Sequence, residues 1–153
     1  MEALENGQEL DRYLVKGFED FRRKRLFVNA FAQWLARLHK RGIYHQDMKT
    51  CNIWVSEKKE AWEYRLLDLE DVVLDKAVDE TKLFKTFLQL NASIPRGITR
   101  TDRLRFLCHY LAHRFVPLDR KEWIKRISEE TRRRGIVYVT PWGVVREDSP
   151  PQP

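Results

Sequence analysis

From Phe21 to Lys40 the chain carries Leu26, Phe27, Ala30, Phe31, Trp34, Leu35 and Leu38 at steps of one, three and four, which builds one wide apolar helical stripe. A stripe that wide must be buried against other elements, so it commits the chain to a layered core around one long helix. Gly42 is placed to end that helix, because glycine enters the left-handed conformation of a terminator, and Lys40 and Arg41 suit the negative end of the dipole. Ahead of it, Leu10, Tyr13 and Leu14 predict a short helix over residues 8–15, interrupted at Gly17. Behind it, the aromatic and aliphatic runs 53–55 and 64–67, separated by the charged stretch 56–61, predict a small hairpin. Helical spacing resumes beyond Asp79 with Leu83, Phe84, Phe87, Leu88 and Leu90, and Pro95 and Gly97 break it. Thr101 can cap a helix over 102–113 that buries Leu104, Leu107, Cys108 and Leu111. Residues 121–133 predict a last, very basic helix, 136–139 an extended run, and 149–153 a frayed tail. The expected fold class is mainly α with a small β-hairpin, an α+β protein with one core.

At 153 residues, division into two domains would leave each half poorly cored. With 42% hydrophobic and 34% charged residues the chain is neither disordered nor fibrous. It has no run of 18 apolar residues, and residues 1–11 are acidic without an apolar stretch, so neither a membrane span nor a signal peptide is expected and the product is expected in the cytoplasm. Cys51 and Cys108 form no Cys-x-x-Cys pair and read as reduced thiols. Lys and Arg exceed Asp and Glu by 29 to 23, a net charge of +6, which favours an anionic partner such as phosphate, lipid headgroups or nucleic acid.

The chemically informative stretch is Ile43-Tyr44-His45-Gln46-Asp47-Met48-Lys49-Thr50-Cys51-Asn52-Ile53-Trp54-Val55, followed by Arg65-Leu66-Leu67-Asp68-Leu69-Glu70. It contains H-x-D-x-x-x-x-N between a helix and an apolar strand, with a second Asp at the end of the next strand. That is the pattern of the catalytic half of a protein-kinase-type phosphotransferase. A loop leaving a helix can hold Asp47 toward an incoming hydroxyl, and five residues later the chain has turned enough for Asn52 to face a metal across the phosphates. Asp68, brought alongside by the hairpin, supplies a hard anionic oxygen of the kind Mg²⁺ prefers. Lys49 can place positive charge near a transferred phosphoryl group, and His45 reads as a ring that ties the loop to the residues around Asp68. With four His, ten Asp and four Asn, this spacing arises by chance in about one such chain in a hundred. The flanking helix, strand and strand-terminal Asp are independent support.

At these residues the sequence resembles the lipopolysaccharide kinase family, the Kdo and heptose kinases with a protein-kinase-like fold. The resemblance is carried by Leu35-Ala36-Arg37-Leu38-His39-Lys40-Arg41-Gly42-Ile43-Tyr44-His45-Gln46-Asp47. It is carried also by Leu88-Gln89-Leu90-Asn91-Ala92-Ser93-Ile94-Pro95 leading into Ile98-Thr99-Arg100-Thr101-Asp102-Arg103-Leu104-Arg105-Phe106-Leu107. It covers roughly residues 3–113. It implies ATP and Mg²⁺ as cofactors and transfer of the γ-phosphate to a sugar hydroxyl of lipid-linked core oligosaccharide at the inner face of the cytoplasmic membrane. It also implies Asp47 as base, Asn52 and Asp68 as metal and cofactor ligands, and Lys49 as support for the phosphate.

The chain departs from the family pattern in two places. Asp68-Leu69-Glu70 lacks the glycine of the common protein-kinase triplet. Gly7, Gly17, Gly42, Gly97, Gly135 and Gly143 are never closer than eight residues, so neither G-x-G-x-x-G nor G-x-x-x-x-G-K is present. Residues 1–5 resemble the hinge between kinase lobes, so residues 1–148 are expected to be the large, C-terminal lobe without its small lobe. Within it, 1–7 form a hinge-like start and 43–71 hold the catalytic and metal-binding loops.

Arg22-Arg23-Lys24-Arg25 and Arg132-Arg133-Arg134 read first as solvated helix faces and second as sites for anionic lipid or acceptor phosphates. His109 and His113 have a zinc-compatible spacing but lack a third ligand. Trp34, Trp54 and Phe31 read as core. The competing functions are a catalytically inactive kinase-like scaffold and a basic nucleic-acid-binding helical module. The second leaves His45, Asp47, Asn52 and Asp68 unexplained, so no nucleic-acid partner is expected.

Overall fold

A computed structural model describes residues 6–59 and 61–147. Residues 1–5 of the hinge-like start (1–7) and the tail over 149–153 lie outside the described residues. In chain order the elements are β1 (Gly7–Glu9), α1 (Leu10–Lys16), α2 (Phe21–Lys40), β2 (Tyr44–His45), β3 (Ile53–Lys58), β4 (Ala61–Leu66), β5 (Val72–Val73), α3 (Glu80–Asn91), α4 (Arg100–His113), α5 (Arg120–Arg134), β6 (Ile136–Thr140) and β7 (Gly143–Glu147). The fold is α+β, as the periodicity predicts.

Local chemistry sets the helix limits. Asp20, Asp79 and Asp119 each accept a backbone N–H from the first turn of α2, α3 and α5. Gly42, at φ 71°, turns the chain out of α2. The start of α4 corrects the expectation of a Thr101 cap. Thr99 caps it, because its hydroxyl accepts the Asp102 N–H while the Asp102 carboxylate accepts the Thr99 N–H, and this reciprocal box outcompetes a lone hydroxyl. With the helix set there, Leu104 is 45% exposed and Cys108 half-buried, while Asp102, Leu107, Tyr110 and Leu111 face inward.

The buried face of α2 is rotated from the expected stripe. Phe27, Val28, Phe31, Ala32, Leu35, Ala36 and His39 are buried, whereas Leu26 is 52% exposed. The neighbouring α4 packs alongside α2, and a rung of rings joins the helices. Tyr13 of α1 lies 5.2 Å from Phe27, Phe31 lies 5.3 Å from Phe106 of α4, and Phe87 of α3 lies 5.3 Å from Phe106 and 5.8 Å from Trp123 of α5. Inside this core His39 Nδ1 meets the Tyr110 hydroxyl at 2.7 Å, and burial pushes its pKa down to about 3.

Among the described residues, the one expected hairpin becomes four ladders in three sheets. β3 and β4 pair antiparallel as foreseen but run longer, and β1 adds to the other edge with Gln8 opposite Val55, so the first helix begins at Leu10 rather than at residue 8. Glycine is required at position 7, where a Cβ would run into the Trp54 indole and lie 2.6 Å from the Val55 carbonyl. The other ladders are the short pair β2–β5 and the hairpin β6–β7 that completes the extended run after α5.

The turn between α3 and α4 is knotted by Arg103. Its guanidinium donates to the carbonyls of Asn91, Ile94, Pro95 and Ile98 at 2.9–3.1 Å and to Asn91 Oδ1 at 2.9 Å. Burial lowers its pKa to about 10 against the pull of Glu147 and Asp102. Arg103→Lys keeps the charge but cannot span four carbonyls. It is expected to lower unfolding stability by about 2–3 kcal/mol, read from urea denaturation midpoints.

Candidate functional site

The loop after α2 is stitched to the strand-end segment by backbone bonds. The N–H of Ile43 returns to Leu38 O at 3.0 Å, and the N–H of Gln46 donates to Asp71 O at 2.9 Å, just beyond the β2–β5 pair. His45 is fully buried between them. Its Nε2 donates to Leu67 O at 2.9 Å and its Nδ1 accepts the Asp47 N–H at 3.1 Å, which fixes the tautomer by partner chemistry. One ring therefore sets the distance between the Asp47 loop and the residue before Asp68.

Asn52 repeats the connection. Its Nδ2 donates to Asp47 O at 2.8 Å and to Asp47 Oδ2 at 3.3 Å, while its backbone carbonyl accepts the Leu67 N–H at 2.8 Å. Asp47, Asn52 and Asp68 thus belong to one hydrogen-bonded unit. Lys49 Nζ lies on Asp47 Oδ1 at 2.9 Å, with its side chain half exposed. Asp68 adopts the left-handed conformation, φ 52° and ψ 62°, and leads into the 3₁₀ turn Leu69–Asp71. Aspartate tolerates this region better than most residues, and the positive φ lies on the acid in a triplet without glycine. Its exposed carboxylate makes no hydrogen bond or ion pair with any described residue.

Gln89 and Ser93 form the support that motif reasoning missed. Gln89 Oε1 accepts the Met48 N–H at 3.0 Å and its Nε2 donates to Gln46 O at 2.9 Å, gripping both peptides that flank Asp47. Ser93 accepts the Thr50 N–H at 3.0 Å, and Thr50 returns its hydroxyl to Ser93 O at 2.7 Å. Gln89 lies near the end of α3 and Ser93 in the turn just beyond it, and nothing local in the sequence says what either side chain meets.

The donor set fits a hard divalent cation shared with phosphate. Asp68 offers an unpartnered carboxylate. Asn52 turns its NH₂ toward Asp47, which leaves Oδ1 only a weak thiol contact from Cys51 at 3.8 Å. Among the described residues no cluster of three or more His, Cys, Asp or Glu is placed to hold a metal. His113 bonds Asn29 Oδ1 at 3.2 Å and joins no such cluster. The first basic run is partly absorbed by structure. Arg23 pairs with Glu57 at 2.9 Å and stacks over Trp62, and Lys24 pairs with buried Asp102 at 2.7 Å.

Comparison with known proteins follows the same lines. Residues 1–110 match the lipopolysaccharide kinase (Kdo/WaaP) family. A curated relative, the lipopolysaccharide core heptose(I) kinase WaaP of Pseudomonas aeruginosa, is 29% identical over 127 residues, covering 76% of this chain and 47% of the relative. A solved structure described as WaaP in complex with acyl carrier protein superposes with a TM-score of 0.66 at 20% identity, over 84% of this chain and 58% of that one, which shows a shared fold. The chain spans about half the length of the curated relative it matches.

Gln89→Leu keeps the volume but strands the Met48 N–H and the Gln46 carbonyl. It is expected to cost about 1–3 kcal/mol and to raise amide exchange at Met48, measured by hydrogen–deuterium exchange.

Proposed function

The chain belongs to the lipopolysaccharide kinase (Kdo/WaaP) family, and from that membership we propose that it is the large lobe of a protein-kinase-like phosphotransferase that moves the γ-phosphate of ATP to a sugar hydroxyl of the lipopolysaccharide core. The lobe spans 1–148, with the working loops over 43–71. The observation that carries the reading is the direct tie between Asn52 and Asp47, joined through Leu67 to a partnerless Asp68 carboxylate.

Each side chain then has a role. Asp47 accepts the proton of the attacking hydroxyl, held in place by Asn52, Gln89 and the His45 ring. Lys49, which the structure pairs with Asp47, has the reach of a flexible exposed side chain to meet phosphate oxygens. Asn52 Oδ1 and the Asp68 carboxylate would hold Mg²⁺, which when bound would offset the charge on the phosphates. Among the described residues no helix is long and apolar enough to cross a membrane, and action at the inner face of the cytoplasmic membrane is part of the proposal.

These 153 residues contain no glycine-rich phosphate cradle, and positioning supplies most of phosphoryl-transfer catalysis. The chain on its own is therefore expected to bind ATP weakly and to turn over little. Calorimetric titration should find weak binding that requires Mg²⁺ and is lost in Asp68→Asn. Asp47→Ala should leave binding intact and lower any phosphorylation of a core-oligosaccharide acceptor by at least about a hundredfold. Binding indifferent to Mg²⁺ and to Asp68→Asn would falsify the assignment.

A second partner is favoured by a cavity of about 420 Å³, lined mainly by apolar residues including Leu10, Phe31, Phe87, Ile98 and Leu107. The solved relative is in complex with acyl carrier protein, and an apolar hollow suits an aliphatic chain. Association of this chain with an acyl carrier protein is tested by co-elution in size-exclusion chromatography; elution of the two as separate species rejects it.

A further inference from the structure

The C-terminal hairpin lies beyond the residues that match the family and has an outward face with no role in the core. Antiparallel register puts Ile136 with Glu147, Tyr138 with Val145 and Thr140 with Gly143 on one face; Ile136 is fully buried and Thr140 is 9% exposed. The opposite face carries Val137 with Arg146 and Val139 with Val144. There Val144 is 70% exposed and Val137 39%, and at the tip Trp142 is 89% exposed.

This display is rigid. The Val137 N–H donates to Ala92 O at 2.8 Å and the Val139 N–H to buried Asp11 at 3.0 Å, so the inner edge of β6 is fastened to the body. The Thr140 hydroxyl donates to Gly143 O at 2.9 Å and accepts the Trp142 N–H at 3.2 Å, which locks the turn. A fixed turn that presents an indole to solvent has no packing explanation, and tryptophan is the side chain best suited to the boundary between headgroups and acyl chains.

Charge selects the occupant. Residues 120–147 hold eight Lys and Arg against four Asp and Glu, and the run Arg132-Arg133-Arg134 leads through Gly135 directly into β6. Arg133 and Arg134 share Glu130 at 3.1 and 3.9 Å, while Arg132 and Arg146 make no ion pair with any described residue. An anionic surface complements this excess of positive charge. We propose that the β6–β7 hairpin, with Trp142 at its tip and Arg146 on its outer face, seats this protein on an anionic lipid bilayer.

The seat needs no nucleotide, so its failure and the failure of the kinase reading are separable. The full chain is sedimented with vesicles of phosphatidylcholine alone and of phosphatidylcholine mixed with phosphatidylglycerol. Binding is expected to the mixed vesicles, weakening as salt rises. Trp142→Ser should weaken it about tenfold and Arg146→Gln about fivefold, while Trp142→Phe retains most of it. Both positions are exposed, and unchanged melting temperatures confirm that the variants fold. Equal binding by Trp142→Ser and the parent chain overturns the proposal. So does failure to bind either vesicle, including the case in which Trp142→Ser merely dissolves a dimer.

Discussion

One buried guanidinium underlies the geometry of the site. Arg103 gathers the carbonyls of the turn between α3 and α4, and that turn carries Ser93 and fixes the end of α3 that carries Gln89. Those two side chains hold the peptides on either side of Asp47 and the start of the short 3₁₀ turn Thr50–Asn52. A buried cation satisfied by neutral oxygens is costly to place and costly to lose, so it favours one arrangement of the turn over all nearby ones. The precision of the loop is thus set from a helix some forty residues downstream, through bonds to main chain that are indifferent to the chemistry of the loop itself.

The parts of this architecture legible in the sequence are those governed by short-range rules. The bounds of α2, α3 and α5 follow from periodicity and from Asp caps, and the working loop follows from a spacing of His, Asp and Asn. What escaped was decided by contacts distant in sequence. β1 exists because Gly7 lets the chain lie against Trp54 and Val55, nearly fifty residues away, and three residues offer too little periodicity to announce it. Leu26 lies off the buried face of α2 because the elements packed on that helix, α4 foremost, decide which side is covered. Thr99 and Thr101 are equivalent caps until Asp102 is counted as the third member of a box. Gln89 and Ser93 were visible only as part of a family-like string, since a polar residue on a helix declares its target only after the chain folds.

The two basic runs show how one composition can lead to different ends. In α2, Arg23 and Lys24 are drawn into pairs with Glu57 and Asp102 that join the helix to β3 and α4. At the end of α5 Arg133 and Arg134 share one acid, Glu130, and the following hairpin turns more positive charge and apolar surface outward. Net charge says that an anion is welcome somewhere; the fold decides where by consuming the cations elsewhere.

The imidazole of His39 has a thermodynamic consequence for the whole molecule. Its Nε2 is buried without a hydrogen-bond partner among the described residues, and burial lowers its pKa to about 3 while an unfolded chain would take that proton near 6.5. Across that interval the unfolded ensemble binds more protons than the native one, so acidification draws the equilibrium toward unfolding, and folding is favoured most above it. The interior holds a small acid-labile element unrelated to the carboxylates at the surface, and its effect begins in the mildly acidic range.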